Sequence, residues 1–589
     1  MTPGDRILPR LRAHGTGVSI AVIVILHSCM FAPALDHPLL WDDDVLIRQS
    51  LEIRGLDKLP GAFNGHYLAG ATDDQSQVPY YRPISLAALI VQKTVFDASP
   101  QGYRAVMFLF NLCSTLLIFF MSKRLFSTPA VDKRSPATAA ALFSALVFST
   151  LPYNMDAILF ITDLGDLMVL TSILLGLLLF EKHLRDGSAA CRIGSLLCAA
   201  LAIGSKETGV AAPFLLGLHA LLRSGSSPIS RKLLVPSAAA ILLVGYMAMR
   251  AAVLVNIRHF DPLTALLRFG PDFLQAFRWA LFPHPLSLYE PVTHRFFGWD
   301  WWLGFLLLGG ILAAALYLRR RQPPVVFLLL SFVLCIAPSL QAIQHMNWFS
   351  PRYLYVPSAA LTVLAGIGFS RIHAKLRRLL WAVPILLALL SLIRIQSWQS
   401  ASTLWTTQLE RHPDDPLALL NYGIVQEQNN RPDEAFRAYS RGIAIATERK
   451  SEFTLSGLHF RMGQLLDRAY ANPTDALRYY EMAVRYHATS TLWLSIGNIH
   501  AHDRAYDRAL LAFRKAEKLA PDDFNVLISL AGALGGLHRF DEAIATINRA
   551  IAVAENSPTH LSEAKRRREI LLQFRDRQAE LPPPRSTLP

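Results

Sequence analysis

The chain has 589 residues, 52% hydrophobic and 17% charged, with a formal net charge of +14. Before Trp398 the apolar residues gather in runs long enough to cross a bilayer, for which about 20 helical residues suffice, and this excludes an ordinary soluble enzyme. The charge is not a nucleic-acid signature, because the half after position 397 holds 24 basic and 23 acidic residues and the surplus lies between the apolar runs.

Eleven membrane helices are predicted, at about 18–35, 104–122, 136–152, 156–180, 188–204, 209–222, 233–255, 301–318, 324–341, 354–370 and 379–397. The first is read as a retained signal anchor rather than a cleaved signal, since ten further apolar segments follow it. With the N-terminus cytoplasmic, the inner loops carry 20 basic and four acidic residues, as the positive-inside rule requires. An odd number of helices then sets the C-terminal half outside the cytoplasm. The five cysteines all lie in apolar segments and are read as packing residues. Two outer loops, 36–103 and 256–300, are longer than connections need, and residues 266–288 read as an interfacial amphipathic helix.

Ionisable residues at helix ends gather on the outer side of this topology. Asp42, Asp43 and Asp44 follow the first helix, with Tyr81 and Arg82 later in the same loop. Asp156 lies at the turn between predicted helices 3 and 4, with Asp163 and Asp166 beyond it. Lys206 and Glu207 form the turn between helices 5 and 6, and Arg352 and Tyr353 open helix 10. Charged groups at membrane depth are costly, so they mark function by default. Vicinal carboxylates can serve as a general base or hold a divalent cation, and Arg and Lys can hold a phosphate leaving group. The bland readings are a solvated Asp run, an interfacial Arg352, a Lys206–Glu207 turn ion pair, and bundle-interior contacts for Asp163 and Asp166.

Residues 398–415 read as a linker, and residues 416–557 repeat with a period near 34, the tetratricopeptide length. Gly423, Gly463 and Gly497, with Ala435, Ala476 and Ala509, stand where paired helices pack closely, and large residues such as Tyr439, Tyr480 and Phe513 fill the gap between the helices. Such arrays bind peptides along a concave face, or serve as spacers or dimerisation modules. Residues 558–589 read as a basic helix followed by a Pro-rich tail.

Trp41-Asp42-Asp43, Tyr81-Arg82-Pro83, Lys206-Glu207-Thr208-Gly209, Arg352-Tyr353-Leu354-Tyr355-Val356-Pro357-Ser358 and Arg394…Trp398…Leu404-Trp405 together resemble one family. It is that of the transmembrane and tetratricopeptide-repeat O-mannosyltransferases and their bacterial relatives, within the glycosyltransferase C-type fold. The resemblance covers nearly the whole chain. It implies a polyprenyl-phosphate-linked sugar donor, usually mannose, and an acceptor on the outer face. It implies a catalytic base at Asp42 or Asp43, with Asp44 the less favoured register, and donor-phosphate contacts at Arg352 and Lys206. Tyr81, Arg82, Glu207, Asp156, Asp166 and Tyr353 become substrate-binding candidates. The chain departs from the family at three places. A His-Pro-x-His-x-Glu turn reads Leu151-Pro152-Tyr153-Asn154-Met155-Asp156, Gly-Arg-Ala-Asp reads Asp163-Leu164-Gly165-Asp166, and Leu-Ser-x-Asp reads Leu286-Ser287-Leu288-Tyr289.

The expected protein is therefore all-α: a multi-pass membrane glycosyltransferase domain over 1–397 followed by a tetratricopeptide solenoid. Its expected partners are a polyprenyl-phosphate sugar, membrane lipid, and an acceptor or partner protein on the repeats, with no nucleic acid and no certain cofactor. Two alternatives stand beside this reading: transfer to an envelope lipid or polysaccharide, and a non-catalytic membrane scaffold. Its expected location is an inner cell membrane, with the repeats periplasmic.

Overall fold

The computed structural model describes residues 4–50, 53–64, 80–126, 137–222, 227–254, 262–283, 286–291, 298–346, 348–554 and 557–580. It divides into two compact units, Met1–Thr407 and Gln408–Pro589. Among the described residues both are helical, apart from a two-residue antiparallel pairing of Glu290–Pro291 (β1) with Trp348–Phe349 (β2) in the first.

The first unit opens with α1 (Gly4–Phe31), the short α2 (Asp42–Asp44), α3 (Pro83–Phe96) and α4 (Pro100–Phe126). It continues through α5 (Ala137–Ser149), α6 (Pro152–Leu159), α7 (Leu164–Asp186), α8 (Ala189–Ser205) and α9 (Ala211–Leu222). Then come α10 (Ile229–Val253), α11 (Pro262–Leu281), α12 (Trp299–Leu318) and α13 (Pro323–Met346). The last are α14 (Tyr355–Arg371), α15 (Ala374–Leu380), α16 (Ala382–Ser397) and α17 (Ala401–Arg411).

Among the described residues, eight helical stretches are long and apolar enough to cross a membrane, and a ninth if α5 and α6 are one span bent by 58°. The bend falls at Thr150-Leu151-Pro152, where Pro152 occupies the first helical turn and offers no N–H to continue α5. Predicted helices 5 and 6 are the shorter α8 and α9, of 17 and 12 residues, separated by a 3-10 turn over Glu207–Val210. Helix α3 falls within the loop expected at 36–103, yet its 14 residues are largely apolar and Leu86, Leu89 and Ile90 are buried. Residues 398–415, read as a linker, carry helix α17, and the division between the two units falls within them, at 407/408. The interfacial helix expected at 266–288 is α11, seated earlier at Pro262–Leu281.

Burial separates the spans by role. Ile161–Asp186 and Pro351–Arg371 are 78% buried and form the centre, whereas Trp299–Leu318 is 11% buried. Exposed Ile241, Val244, Leu306, Ile385 and Leu389 on the outer helices suit hydrocarbon rather than water.

The second unit stacks four helix pairs: α18/α19 (Pro416–Gln428, Pro432–Glu448), α20/α21 (Glu452–Arg468, Pro473–Tyr486), α22/α23 (Ser490–His502, Tyr506–Leu519) and α24/α25 (Phe524–Gly536, Phe540–Val553). Helix α26 (Pro558–Glu580) closes the stack; the Pro-rich tail lies outside the described residues. In three pairs one contact recurs. A Cβ on Gly423, Gly463 or Gly497 would come within 2.2, 2.6 or 2.3 Å of Tyr439, Tyr480 or Phe513. The missing side chain is what lets the aromatic ring of the second helix lie on the backbone of the first.

Candidate active site

The chain leaves α1 through a 3-10 turn and reaches Trp41, whose φ of 55° lies in the left-handed region. For a bulky residue this costs about 1–2 kcal/mol. Ring contacts hold it there: Trp405 at 5.3 Å, Phe160 at 5.6 Å and Tyr289 at 6.3 Å between centroids. The three carboxylates that follow then face three ways. Asp43 is fully buried, and its two oxygens accept the backbone N–H groups of Ile161 at 2.9 Å and Thr162 at 2.8 Å. Asp44 points outward to Arg48 at 2.8 Å. Asp42 is partly exposed and lies within electrostatic reach of Arg352 and Asp163. Burial pushes Asp42 up to about 6, with Asp163 adding to the rise and Arg352 opposing it. Burial also carries Asp43 up to about 7, against the pull of its two N–H donors and Arg104.

Across from Asp42 lies a dense ion cluster. Lys206 donates to Asp163 at 2.8 Å and Asp166 at 2.5 Å, and Thr208 donates to the other oxygen of Asp166 at 3.0 Å. The Arg352 guanidinium stands 3.0 Å from Asp163 and 4.5 Å above the Phe160 ring. Gly165 makes this possible, since a Cβ there would meet the Ser205 carbonyl at 2.8 Å and hold Lys206 away from α7. Gly209 lets the turn after Lys206 fold back on the end of α8, its Cβ position being 1.9 Å from the Ala202 carbonyl.

Arg82 chelates Glu207 through Nε and Nη2, at 2.7–3.2 Å, and stacks 4.3 Å from the Tyr80 ring. So the Lys206–Glu207 pair is not a turn ion pair: each member bonds a different element. Tyr353 is buried beside Arg352, its ring edge-on to Phe349 at 5.7 Å.

Two further sequence candidates make contacts within the framework. Tyr81 donates to the Phe63 carbonyl at 2.9 Å and packs on Tyr246. Asp156 is wholly buried and accepts from Arg394 at 2.8 and 3.0 Å and from the Trp398 indole at 2.8 Å. It fastens α6 to the end of α16. Asn154, where the family has histidine, donates to the Phe148 carbonyl at 3.0 Å. Among the described residues no three His, Cys, Asp or Glu side chains converge as a metal cage.

Sequence reasoning missed Phe160, the platform under Arg352, which carries no local signal. It also missed Arg104, fully buried and donating to the carbonyls of His37, Pro38 and Leu159. An arginine inside the apolar start of a helix was the available signal.

A family model described as tetratricopeptide repeat matches residues 386–448 and 467–524. The chain is similar to the protein O-mannosyl-transferase Tmtc1 of Drosophila melanogaster, with 21% identity over 203 residues, which are 34% of this chain. The match spans about a fifth of that relative, 22% of its length. Similar solved structures include the MamA protein (16% identity, TM-score 0.23, covering 26% of this chain and 82% of that one). Another is YrrB, described as a TPR protein with an unusual peptide-binding site (16% identity, TM-score 0.25, covering 32% and 95%). A third is TTC0263, a thermophilic TPR protein of Thermus thermophilus (20% identity, TM-score 0.23, covering 31% and 95%). The resemblance read from the motifs thus meets a relative of the same family and the repeat that marks it. The chain is a membrane protein with tetratricopeptide repeats, similar to the transmembrane O-mannosyltransferases.

Proposed function

We propose that this chain is an integral membrane glycosyltransferase that moves a sugar, mannose first among candidates, from a polyprenyl phosphate to a protein hydroxyl on the non-cytoplasmic side. The observation that carries the reading is the juxtaposition of a partly exposed carboxylate, Asp42, with the buried Arg352–Asp163–Lys206 cluster. Similarity to an O-mannosyltransferase supports the class of reaction. Donor, acceptor, C-type fold and orientation are part of the proposal.

In this reading Asp42 takes the proton of the acceptor hydroxyl as its oxygen bonds to the sugar anomeric carbon. The bond from that carbon to the phosphate oxygen breaks, and a phosphodiester monoanion leaves as a phosphate monoester with one more negative charge. Arg352 stabilises the charge as it grows, and Lys206 is the second candidate. Asp43 holds the turn rather than reacting, because both of its oxygens are engaged by backbone donors. The cluster carries Arg82, Lys206 and Arg352 against Asp163, Asp166 and Glu207. An incoming phosphate therefore competes with Asp163 for the two cations nearest Asp42. The repeats present the acceptor protein or a partner to the membrane unit.

The test is transfer from radiolabelled polyprenyl-phosphate mannose to extracytoplasmic protein by the purified chain. Labelled protein lost in Asp42→Asn and Arg352→Ala, with melting not lowered, supports the proposal. Label confined to lipid or polysaccharide favours the envelope acceptor. No transfer from any polyprenyl-phosphate sugar leaves the scaffold reading.

A further inference from the structure

A second charged hollow lies away from the Asp42 cluster. It is a cavity of about 450 Å³ lined by Arg48, Arg54, Gly55, Lys93, Asp97 and Ala98. Arg82 and Lys93 flank helix α3 at opposite ends, and ten residues of helix rise separate Pro83 from Lys93, about 15 Å. The hollow therefore does not share the ligand space of Arg352 and Lys206.

Its walls are built rather than incidental. Gly55 has a φ of 101°, where a side chain would be strained, and a Cβ there would fall 2.5 Å from the Asp57 carboxylate. The Arg54 guanidinium donates to the Arg48 carbonyl at 2.9 Å, which fixes the two arginine-bearing backbones to each other. Asp97 ends α3 with a φ of 49°, its N–H returning to the Lys93 carbonyl at 2.9 Å and its own carbonyl accepting from Tyr103 at 2.8 Å. Lys93 is 9% exposed and holds Asp97 at 2.8 Å, while the Asp97 side chain is 87% exposed. The lining thus has three cations against one carboxylate, with Asp44 on Arg48 at 2.8 Å as a second, outer one.

The elements that supply the cations also present apolar side chains outward. Leu56, two residues beyond Arg54, is 52% exposed, and Val91 and Val95 flank Lys93 at 45% and 67% exposed. Cations in a hollow beside an exposed aliphatic face suit an anionic phosphate carried at the edge of a hydrocarbon layer.

We propose that this hollow binds a phosphate group, as the headgroup of an anionic phospholipid or as free phosphate. Arg54 and Lys93 are the principal contacts, and Arg48 turns to the ligand from Asp44. This binding site is separate from that of the sugar donor and does not depend on the glycosyltransferase reading.

The experiment titrates the purified full-length chain, in neutral detergent, with dihexanoyl phosphatidylglycerol, dihexanoyl phosphatidylcholine or inorganic phosphate, reading binding and melting midpoint. Saturable binding of phosphatidylglycerol in preference to phosphatidylcholine, weakened about tenfold by Arg54→Gln and abolished by Arg54→Glu, is expected, the size of one charge-assisted hydrogen bond. Competition by inorganic phosphate identifies free phosphate as a ligand, and its failure to compete identifies the lipid headgroup; either supports the site. Arg54→Lys, which keeps the charge, retains most of the binding and guards against misfolding of the other variants. Equal binding of the two lipids, or equal phosphatidylglycerol binding by wild type, Arg54→Gln and a distant Arg320→Glu control, would overturn the proposal.

Discussion

Asp42 and Asp43 are neighbours in the chain but differently placed, Asp43 bonded to two backbone N–H groups and Asp42 beside the ion cluster, so substitution separates the roles proposed for them. Asp42→Asn is expected to lower transfer by about 10²–10⁴-fold, the span of general-base catalysis, without lowering the melting midpoint. Asp43→Ala strands the N–H groups of Ile161 and Thr162, at about 1–3 kcal/mol for each buried donor, and should lower the melting midpoint before activity is measured. The pH dependence follows from the same geometry. A base acts ionised and Asp42 is raised to about 6, so kcat/KM should climb as pH rises through about 6 and level off above it. The limb should vanish in the residual activity of Asp42→Asn; a rate that falls through the same window would mean that the protonated carboxyl is the working form. Stability has the opposite sign, since a carboxyl raised in the fold favours the folded state below its ordinary pKa and loses that contribution as pH rises toward 6. The Asp pair was legible as a motif, but which member faces the cluster was not. The left-handed Trp41 decides it, and Trp41 is fixed by Phe160, Tyr289 and Trp405, residues more than 100 positions away.

Elements show the same division between local and distant causes. The helices of the repeat unit were legible because each pair repeats one contact, a glycine under an aromatic ring or, in the fourth pair, Ala531 and Ile547 buried together. Helix α3 was not, because its apolar stretch is too short for a span and because, besides the nearby Leu56–Phe63 turn, it packs on α8, which is distant in sequence. The α5–α6 break was half legible: Pro152 marks the bend, but the Arg394 and Trp398 that hold Asp156 come from the other end of the unit. Gly497→Ala would drive a Cβ to 2.3 Å from Phe513, and overpacking of that kind costs about 1–3 kcal/mol, read as a lower melting midpoint of the repeat unit. The turns within the pairs offer the converse. Asn430, Ala471, Arg504 and His538 each sit at φ between 48° and 59° in the same place of successive repeats. Relieving the left-handed strain at Ala471 with glycine returns about 1–2 kcal/mol, less about 0.5–1 kcal/mol of added unfolded-state freedom. Ala471→Gly should therefore raise the same midpoint slightly.

At the scale of the whole molecule, the site and the loop charges argue for one topology. Asp42, Arg82, Lys206 and Arg352 come from four connections that the positive-inside count assigns to the outer side, and the fold brings these four into one cluster. Four connections drawn from alternate sides of a bilayer would meet only if the intervening helices failed to cross. The convergence is therefore a second reason, independent of loop charge, to set all four on one side. The short α8 and α9 fit this arrangement, since the turn between them dips to Lys206, buried between Asp163 and Asp166. Asp414 lies at the start of the second unit and Arg320 at the tip between α12 and α13, and both are exposed. With the N-terminus cytoplasmic, Asp414→Cys should react with an impermeant maleimide in intact cells, and Arg320→Cys only after the membrane is opened. Labelling of Arg320→Cys first would invert the protein, carrying the Asp42 cluster and the repeats to the cytoplasm. An extracytoplasmic acceptor would then be impossible, whatever chemistry the cluster performs.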